Sequence, residues 1–234
     1  MLSAFGRLNG CRKLIAEVTM ISIQSVSHSY PDSPAISFED LRIKRGEKWL
    51  LLGESGSGKT TFLHILTGIL MPTQGKIVIH DTDLYKLSSR ERDHFRGKNI
   101  GLVFQQPHLI KSLTVQENLL IAQSFAGMPK DKNRIGEVLS ELGILKKKNN
   151  YPYELSQGQL QRASIARAVL NKPALIVADE PTSSLDNKNA QIVIDLLIGL
   201  SESVNATLVV STHDDRIKEA FSNEYMLSST NEFH

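Results

Sequence analysis

Lys48-Trp49-Leu50-Leu51-Leu52-Gly53-Glu54-Ser55-Gly56-Ser57-Gly58-Lys59-Thr60 runs from a short apolar segment, through a glycine-rich loop, into a lysine and a hydroxyl. Residues 48–52 predict a buried strand that ends at Gly53. The pattern after the loop predicts a helix over residues 59–70, stopped by Pro72. The loop itself fits G-x-x-x-x-G-K-[ST]. A triphosphate is densely charged, so its cradle needs many donors and little bulk. Gly53, Gly56 and Gly58 let the backbone curl with its N–H groups inward, and the helix that follows turns its positive end toward an anion. Lys59 is placed to reach the β- and γ-phosphates, and the Thr60 hydroxyl to ligate Mg²⁺. Glu54, Ser55, Ser57 and Thr61 complete the predicted nucleotide contacts. A flexible glycine turn is the other reading of the loop, and its place between a strand and a helix argues against that.

Outward from this loop, strand and helix patterns alternate. Residues 20–30 alternate apolar and polar, as in a half-buried strand, and residues 31–34 turn. Further strands are predicted at residues 75–80, 100–104, 174–178 and 207–210. Helices are predicted at residues 114–126, 134–142, 156–170 and 187–200. Short apolar strands separated by helices imply a mostly parallel sheet covered by helices on both faces. Residues 106–161 read as nearly all helix and suggest a separate helical lobe inserted into that core.

The segment Ala174-Leu175-Ile176-Val177-Ala178-Asp179-Glu180 is an apolar strand that ends in two carboxylates. Ligand sites in α/β sheets lie at this carboxyl edge. Asp179 can there hold Mg²⁺ beside Thr60, and Glu180 can face the γ-phosphate and polarise the attacking water. Alone, such a pair reads as a strand-end cap; with a phosphate loop upstream it reads as catalytic.

Composition narrows the classes. A net charge of +2 carries no electrostatic signature of a nucleic-acid partner. Hydrophobic residues at 41% permit an ordinary globular core. The single Cys11 forms no internal disulfide, and no Cys/His cluster marks a metal site. No apolar run approaches the ~20 residues that cross a bilayer, and residues 191–200 carry Asp195 within an amphipathic pattern. Work at a membrane therefore requires another polypeptide as the span. Residues 1–19 contain Arg7, Arg12 and Lys13 but no apolar signal core, and Met20 directly precedes the first strand pattern. They are expected to be an extension, or the product of a misplaced start. Residues 229–234 read as a tail.

Leu155-Ser156-Gln157-Gly158-Gln159, within LSQGQLQRASIARAVL, resembles the LSGGQ signature of ABC ATPases. The resemblance covers residues 20–228. It implies a P-loop NTPase core of RecA-like type, an antiparallel β subdomain, an inserted α-helical subdomain at about residues 106–161, and ATP with Mg²⁺ as cofactors. It also assigns roles. Ser156, Gly158 and Gln159 cap the γ-phosphate held by the opposite subunit, although Ser156 alone reads as an ordinary helix N-cap. Gln105 matches the Q-loop glutamine that senses Mg²⁺ and γ-phosphate. Ser183, Ser184, Leu185 and Asp186 match the D-loop that touches the partner. His213 matches the histidine that holds γ-phosphate and water with Glu180. Tyr30 matches the aromatic that stacks on adenine. Gln157 stands where the family most often has glycine, which matters only if that position needs a positive φ.

Residues 100–109 with 113–118, and residues 178–186, resemble the branch containing LolD, MacB and FtsE. The resemblance implies a cytoplasmic protein, peripheral on the inner face of the plasma membrane. It would pair with a second copy of itself around two MgATP and drive integral membrane permease subunits, for lipoprotein release or export. An FtsE-like regulator of cell-wall hydrolysis and a soluble, non-transport ABC ATPase are the alternatives.

Overall fold

The structure is a computed structural model, and it describes residues 18–31, 33–183, 185–213 and 215–227. Ser184, the tail, and all of the N-terminal extension but Val18 and Thr19 lie outside the described residues. The chain opens with β1 (Thr19–His28), β2 (Ile36–Ser37) and β3 (Leu41–Lys44). Then come β4 (Lys48–Leu52), α1 (Lys59–Leu66), β5 (Gln74–Ile79) and β6 (Thr82–Asp83). The middle holds α2 (Ser89–Asn99), β7 (Ile100–Val103), α3 (Val115–Phe125), α4 (Lys132–Glu141) and α5 (Gln157–Val169). It closes with β8 (Leu175–Asp179), α6 (Asn187–Ser203), β9 (Thr207–Ser211) and β10 (Asn223–Met226).

Two sheets result. One runs β10-β4-β9-β8-β7 with every neighbouring pair parallel. The other is antiparallel, built on β1 with β2 and β3 along one edge and β5, then β6, on the other. Successive residues of the parallel strands point to opposite faces, and the core divides accordingly. Leu50, Leu52, Ile176, Ala178, Leu208 and Val210 join buried residues of α3, α4, α5 and α6. Leu51, Leu175, Val177 and Val209 join α1 and the antiparallel sheet. Helices cover both faces of the parallel sheet, as predicted, but unequally. The second face carries α1, with Phe62, Leu63, Ile65 and Leu66 buried, and Phe95 of α2 packs on the same cluster; the antiparallel sheet lies behind α1. A helix between two sheets is apolar on several sides, which weakens a one-sided amphipathic pattern.

Three readings change. The predicted helix over residues 59–70 ends at Leu66, because Gly68 adopts φ +70 and the amides of Gly68 and Ile69 turn back to the carbonyls of Ile65 and His64. This is a glycine-terminated Schellman stop, reached before Pro72 can act. The middle segment is less helical than predicted: residues 104–114 and 142–156 form loops and short 3₁₀ turns. Its buried Leu119, Val138 and Leu139 share one continuous core with Ile176 and Leu208. Helix α2 was not predicted, since none of its residues is buried and no apolar period exists to read. Its signal was the reciprocal pair of Ser88 and Glu91, a capping box.

Candidate functional site

β4 delivers the glycine-rich loop to the carboxyl edge of the parallel sheet, and α1 leaves from it. Gly58, at φ +93, is the N-cap of α1 and supplies no side-chain cap. The first amides of the helix lack intrahelical partners by geometry, so they are free to bind an anion. A Cβ on Gly58 would lie 3.2 Å from Ile36 Cγ2, so the glycine lets the wall close behind the loop. Lys59 is buried, and its Nζ donates to the carbonyls of Gly53 at 2.7 Å and Glu54 at 3.0 Å. The cation thus lies folded across its own loop.

A cavity of about 640 Å³ opens in front of the loop. Ser55, Gly56, Gly58, Lys59, Thr60 and Thr61 form one side; Tyr30, Ile36, Gln105, Glu180 and His213 form the rest. Gly53, Glu54 and Ser57 are not part of its lining, and the Ser57 side chain is buried behind the loop. Tyr30 stands at the mouth, its hydroxyl 3.1 Å from Thr61 Oγ1 and its ring edge-on to His28.

Below the cavity, strand ends meet. The Thr60 hydroxyl donates to Asp179 Oδ2 at 2.9 Å, and the Ser211 hydroxyl donates to Asp179 Oδ1 at 2.5 Å. Both carboxylate oxygens of Asp179 are therefore fixed. Thr60 and Asp179 form an oxygen-only pair, which suits a hard cation. Among the described residues no group of three or more acidic, histidine or cysteine side chains gathers to hold a metal. Mg²⁺ fits such a site because it is ordinarily held by one or two protein oxygens, waters and substrate phosphates.

Glu180 follows at φ +47, a conformation rare for a residue with a side chain. Its amide donates to the backbone and side-chain oxygens of Ser211, both at 3.1 Å. This turn carries the carboxylate into the cavity, where Oε2 lies 2.8 Å from His213 Nδ1. Glu180 is mostly shielded, whereas His213 is largely exposed. With the carboxylate ionised, His213 Nδ1 carries the hydrogen of this contact. Ser211 was missed in the sequence. Its only signal was a hydroxyl at the end of an apolar strand, two residues before His213.

The signature residues lie elsewhere. Ser156, Gly158 and Gln159 do not line the cavity. Ser156 is the N-cap of α5, with Gln159 N donating to its hydroxyl and Ser156 N donating to Gln159 Oε1. A Cβ on Gly158 would meet nothing within 4 Å. Gln157 is the first residue of α5 and does not have a positive φ, so that position does not demand glycine. The α5 N-terminus adjoins a depression shared by Gln105, Gln106, Pro107, Gln157 and Ser183. Leu185 packs on the core and Asp186 caps α6 by accepting from Asn189 N.

The model of the ABC transporter family matches residues 39–183. The chain belongs to the ABC transporter ATPase family. It is 42% identical over 177 residues to the bacitracin export ATP-binding protein BceA of Halalkalibacterium halodurans, covering 75% of this chain and 70% of that protein. It is 41% identical over 183 residues to the lipoprotein-releasing system ATP-binding protein LolD of Buchnera aphidicola subsp. Schizaphis graminum, covering 77% and 80%. The dimeric post-hydrolysis structure of the ATP-binding cassette MJ0796, bound to ADP and Pi, superposes with a TM-score of 0.81 at 33% identity, covering 90% of this chain and 95% of that one. The resemblance stated from the motifs thus holds, and LolD is among the relatives found. This ABC protein is an ATPase, and it binds ATP. Among its described residues no helix is long and apolar enough to cross a membrane.

Proposed function

We propose that this ABC ATPase closes head to tail with a second copy around two MgATP, and that closure and hydrolysis drive a separate membrane permease from the cytoplasmic face of the plasma membrane. One observation carries the reading. The cavity gathers the loop, Thr60, Gln105, Glu180 and His213 but is not lined by the signature, which opens α5 beside a separate depression. A two-fold pair places each signature on the other's nucleotide. The α5 N-terminus then favours the γ-phosphate, with Ser156 and Gly158 as the contacts. Mg²⁺ would be held by Thr60 and Asp179, with Gln105 sensing it, and would offset phosphate charge. Glu180, hydrogen-bonded to His213, takes the proton of the attacking water, and Tyr30 stacks on the adenine.

We read residues 20–228 as the ATPase domain, with residues 106–161 as its helical lobe and residues 183–186 as the contact with the partner copy. A groove of about 580 Å³ beside that lobe is lined by Leu102, Phe104, Ile110 and Phe125. Phe104, the chain neighbour of Gln105, lies in its wall, and that apolar wall suits a short cytoplasmic helix of the permease. Nothing in the net charge of +2 favours a nucleic-acid partner. Relatives named for lipoprotein release and for bacitracin export support release or export over regulation of cell-wall hydrolysis.

The test is Glu180→Gln. The variant should bind ATP, lose at least about a hundredfold in turnover, and elute as an ATP-dependent dimer in size-exclusion chromatography. Near parental phosphate release would remove Glu180 from its catalytic role. Monomers at saturating MgATP would refute the composite site.

A further inference from the structure

Charge is spread unevenly over the molecule. Residues 86–98 and 125–134 hold eight arginines and lysines against three acids, a local charge of +5 in a chain whose whole charge is +2. The rest of the chain is therefore acidic by three charges. The two segments meet in space, where α2 crosses the end of α3. A Cβ on Gly97 would lie 3.1 Å from Ala126 Cα and 3.4 Å from the carbonyl oxygen of Phe125, and one on Gly127 would lie 2.8 Å from His94 Cε1.

The three acids are spent within the segments themselves. Asp93 pairs with Arg96 at 2.6 Å, Glu91 closes the capping box with Ser88, and Asp131 caps α4 by accepting from Arg134 N at 2.9 Å. Arg90, Lys98, Lys130 and Lys132 are exposed and make no hydrogen bond or ion pair among the described residues. Arg90 and Lys98 stand two helical turns apart on α2 with the exposed His94 between them, so the three share one stripe. Phe125 ends α3 where the segments meet, and at 78% exposed it is the most exposed large apolar side chain among the described residues. Met128, three residues on, is exposed too. A face that needs only to be solvated gains nothing from a phenylalanine held in water among its cations.

We propose that this patch rests on the anionic headgroups of a bilayer, with Phe125 and Met128 inserted among them and Arg90, Lys98, Lys130 and Lys132 on the lipid phosphates. An apolar anchor ringed by cations gains both from burial at the acyl boundary and from the negative potential of acidic lipid. The inference rests on the permease reading above in one respect. Phe125 also lines the groove assigned to the permease helix, so the bilayer from which that helix descends lies on this side of the molecule. The permease holds the ATPase, and the patch sets its tilt against the membrane. Single-stranded nucleic acid fits this patch less well, because binding there takes successive aromatic platforms and Phe125 is a single ring.

The experiment is flotation of the purified full chain with vesicles of phosphatidylcholine, alone or mixed in equal parts with phosphatidylglycerol. The parent should bind the acidic vesicles at least about tenfold better than the neutral ones, and about 0.5 M salt should abolish the difference. Arg90→Glu with Lys98→Glu, and Lys130→Glu with Lys132→Glu, should each lower binding to acidic vesicles by about tenfold or more. Phe125→Ser should lower it by about tenfold through lost apolar burial. The control is Lys146→Glu with Lys148→Glu, which changes net charge equally but lies by the start of α3, where the Lys148 carbonyl accepts from Gln116 N. It should float like the parent. All the charge variants should release phosphate from ATP at the parental rate and melt with the parent, which shows them folded. Equal binding to neutral and acidic vesicles, patch variants that float like the parent, or a control that loses as much as they do would overturn the proposal. So would tighter binding to a single-stranded RNA than to the acidic vesicles. No permease is present in this assay, so a failure to float leaves the permease reading standing. A Glu180→Gln variant that stays monomeric with ATP would remove the composite site and leave the patch untouched.

Discussion

Asp179 accepts from Thr60 on one carboxylate oxygen and from Ser211 on the other, and Ser211 also accepts from the amide of Glu180. One hydroxyl therefore orients the Asp179 carboxylate and sets the backbone turn that aims Glu180. Ser211→Ala should raise the Mg²⁺ concentration for half-maximal turnover about tenfold, the usual effect of removing a group that orients a ligand, with ATP binding little changed. A Mg²⁺ titration at saturating ATP reads this directly, and an unchanged half-saturation point would show that Ser211 orients nothing. Lys59 with Thr60, and Asp179 with Glu180, could be placed at one sheet edge from the sequence because each pair sits inside one short patterned segment. Ser211 could not, because its partner Asp179 lies 32 residues away and only the folded sheet brings the two together.

At the scale of the element, apolar periodicity located what is buried and failed where nothing is. Four of the five parallel strands, β4, β7, β8 and β9, were readable because both their faces are covered, so each is a near-continuous apolar run. β10, an edge strand reading Asn-Glu-Tyr-Met, and α2, whose one large apolar residue is Phe95, carried no such run. The end of α1 was misplaced because proline was given the stopping role that belongs to Gly68. At φ +70, alanine would adopt a left-handed conformation, and its Cβ would lie 2.9 Å from Arg92 Cδ. The arginine can swing aside, so backbone strain dominates, at about 1 kcal/mol. Gly68→Ala should then lower the melting temperature by roughly 2–4 °C for a domain of this size. Calorimetry would decide it, and an unshifted melt would mean that the turn tolerates a side chain. ATP binding should persist, since Gly58 at the other end of α1 is untouched.

At the scale of the whole molecule, two sheets grip one helix, and buried phenols join the layers. Tyr225, on the edge strand of the parallel sheet, stacks on Phe62 of α1 and donates to the carbonyl of Glu39 in the antiparallel layer. Tyr85, beside the antiparallel sheet, shares its one hydroxyl proton between the carbonyls of Ile65 in α1 and Leu70 just beyond it. Burial raises both phenols, Tyr225 to about 12 and Tyr85 further still, with Arg92 opposing the rise at Tyr85. The unfolded chain ionises its tyrosines near the ordinary value of about 10. Protons are therefore released on unfolding at alkaline pH, and stability falls as pH rises. The contribution is whole below about pH 10 and is lost progressively as pH climbs through about 12. The urea midpoint of the parent should drop across that window. Lysines begin to titrate there as well, so the decisive comparison is with Tyr225→Phe. That variant should be less stable by about 1 kcal/mol at neutral pH, having lost one hydrogen bond, and its midpoint should fall less steeply above about pH 10. Parallel slopes for the two proteins would mean that the Tyr225 phenol is not what couples the layers to pH.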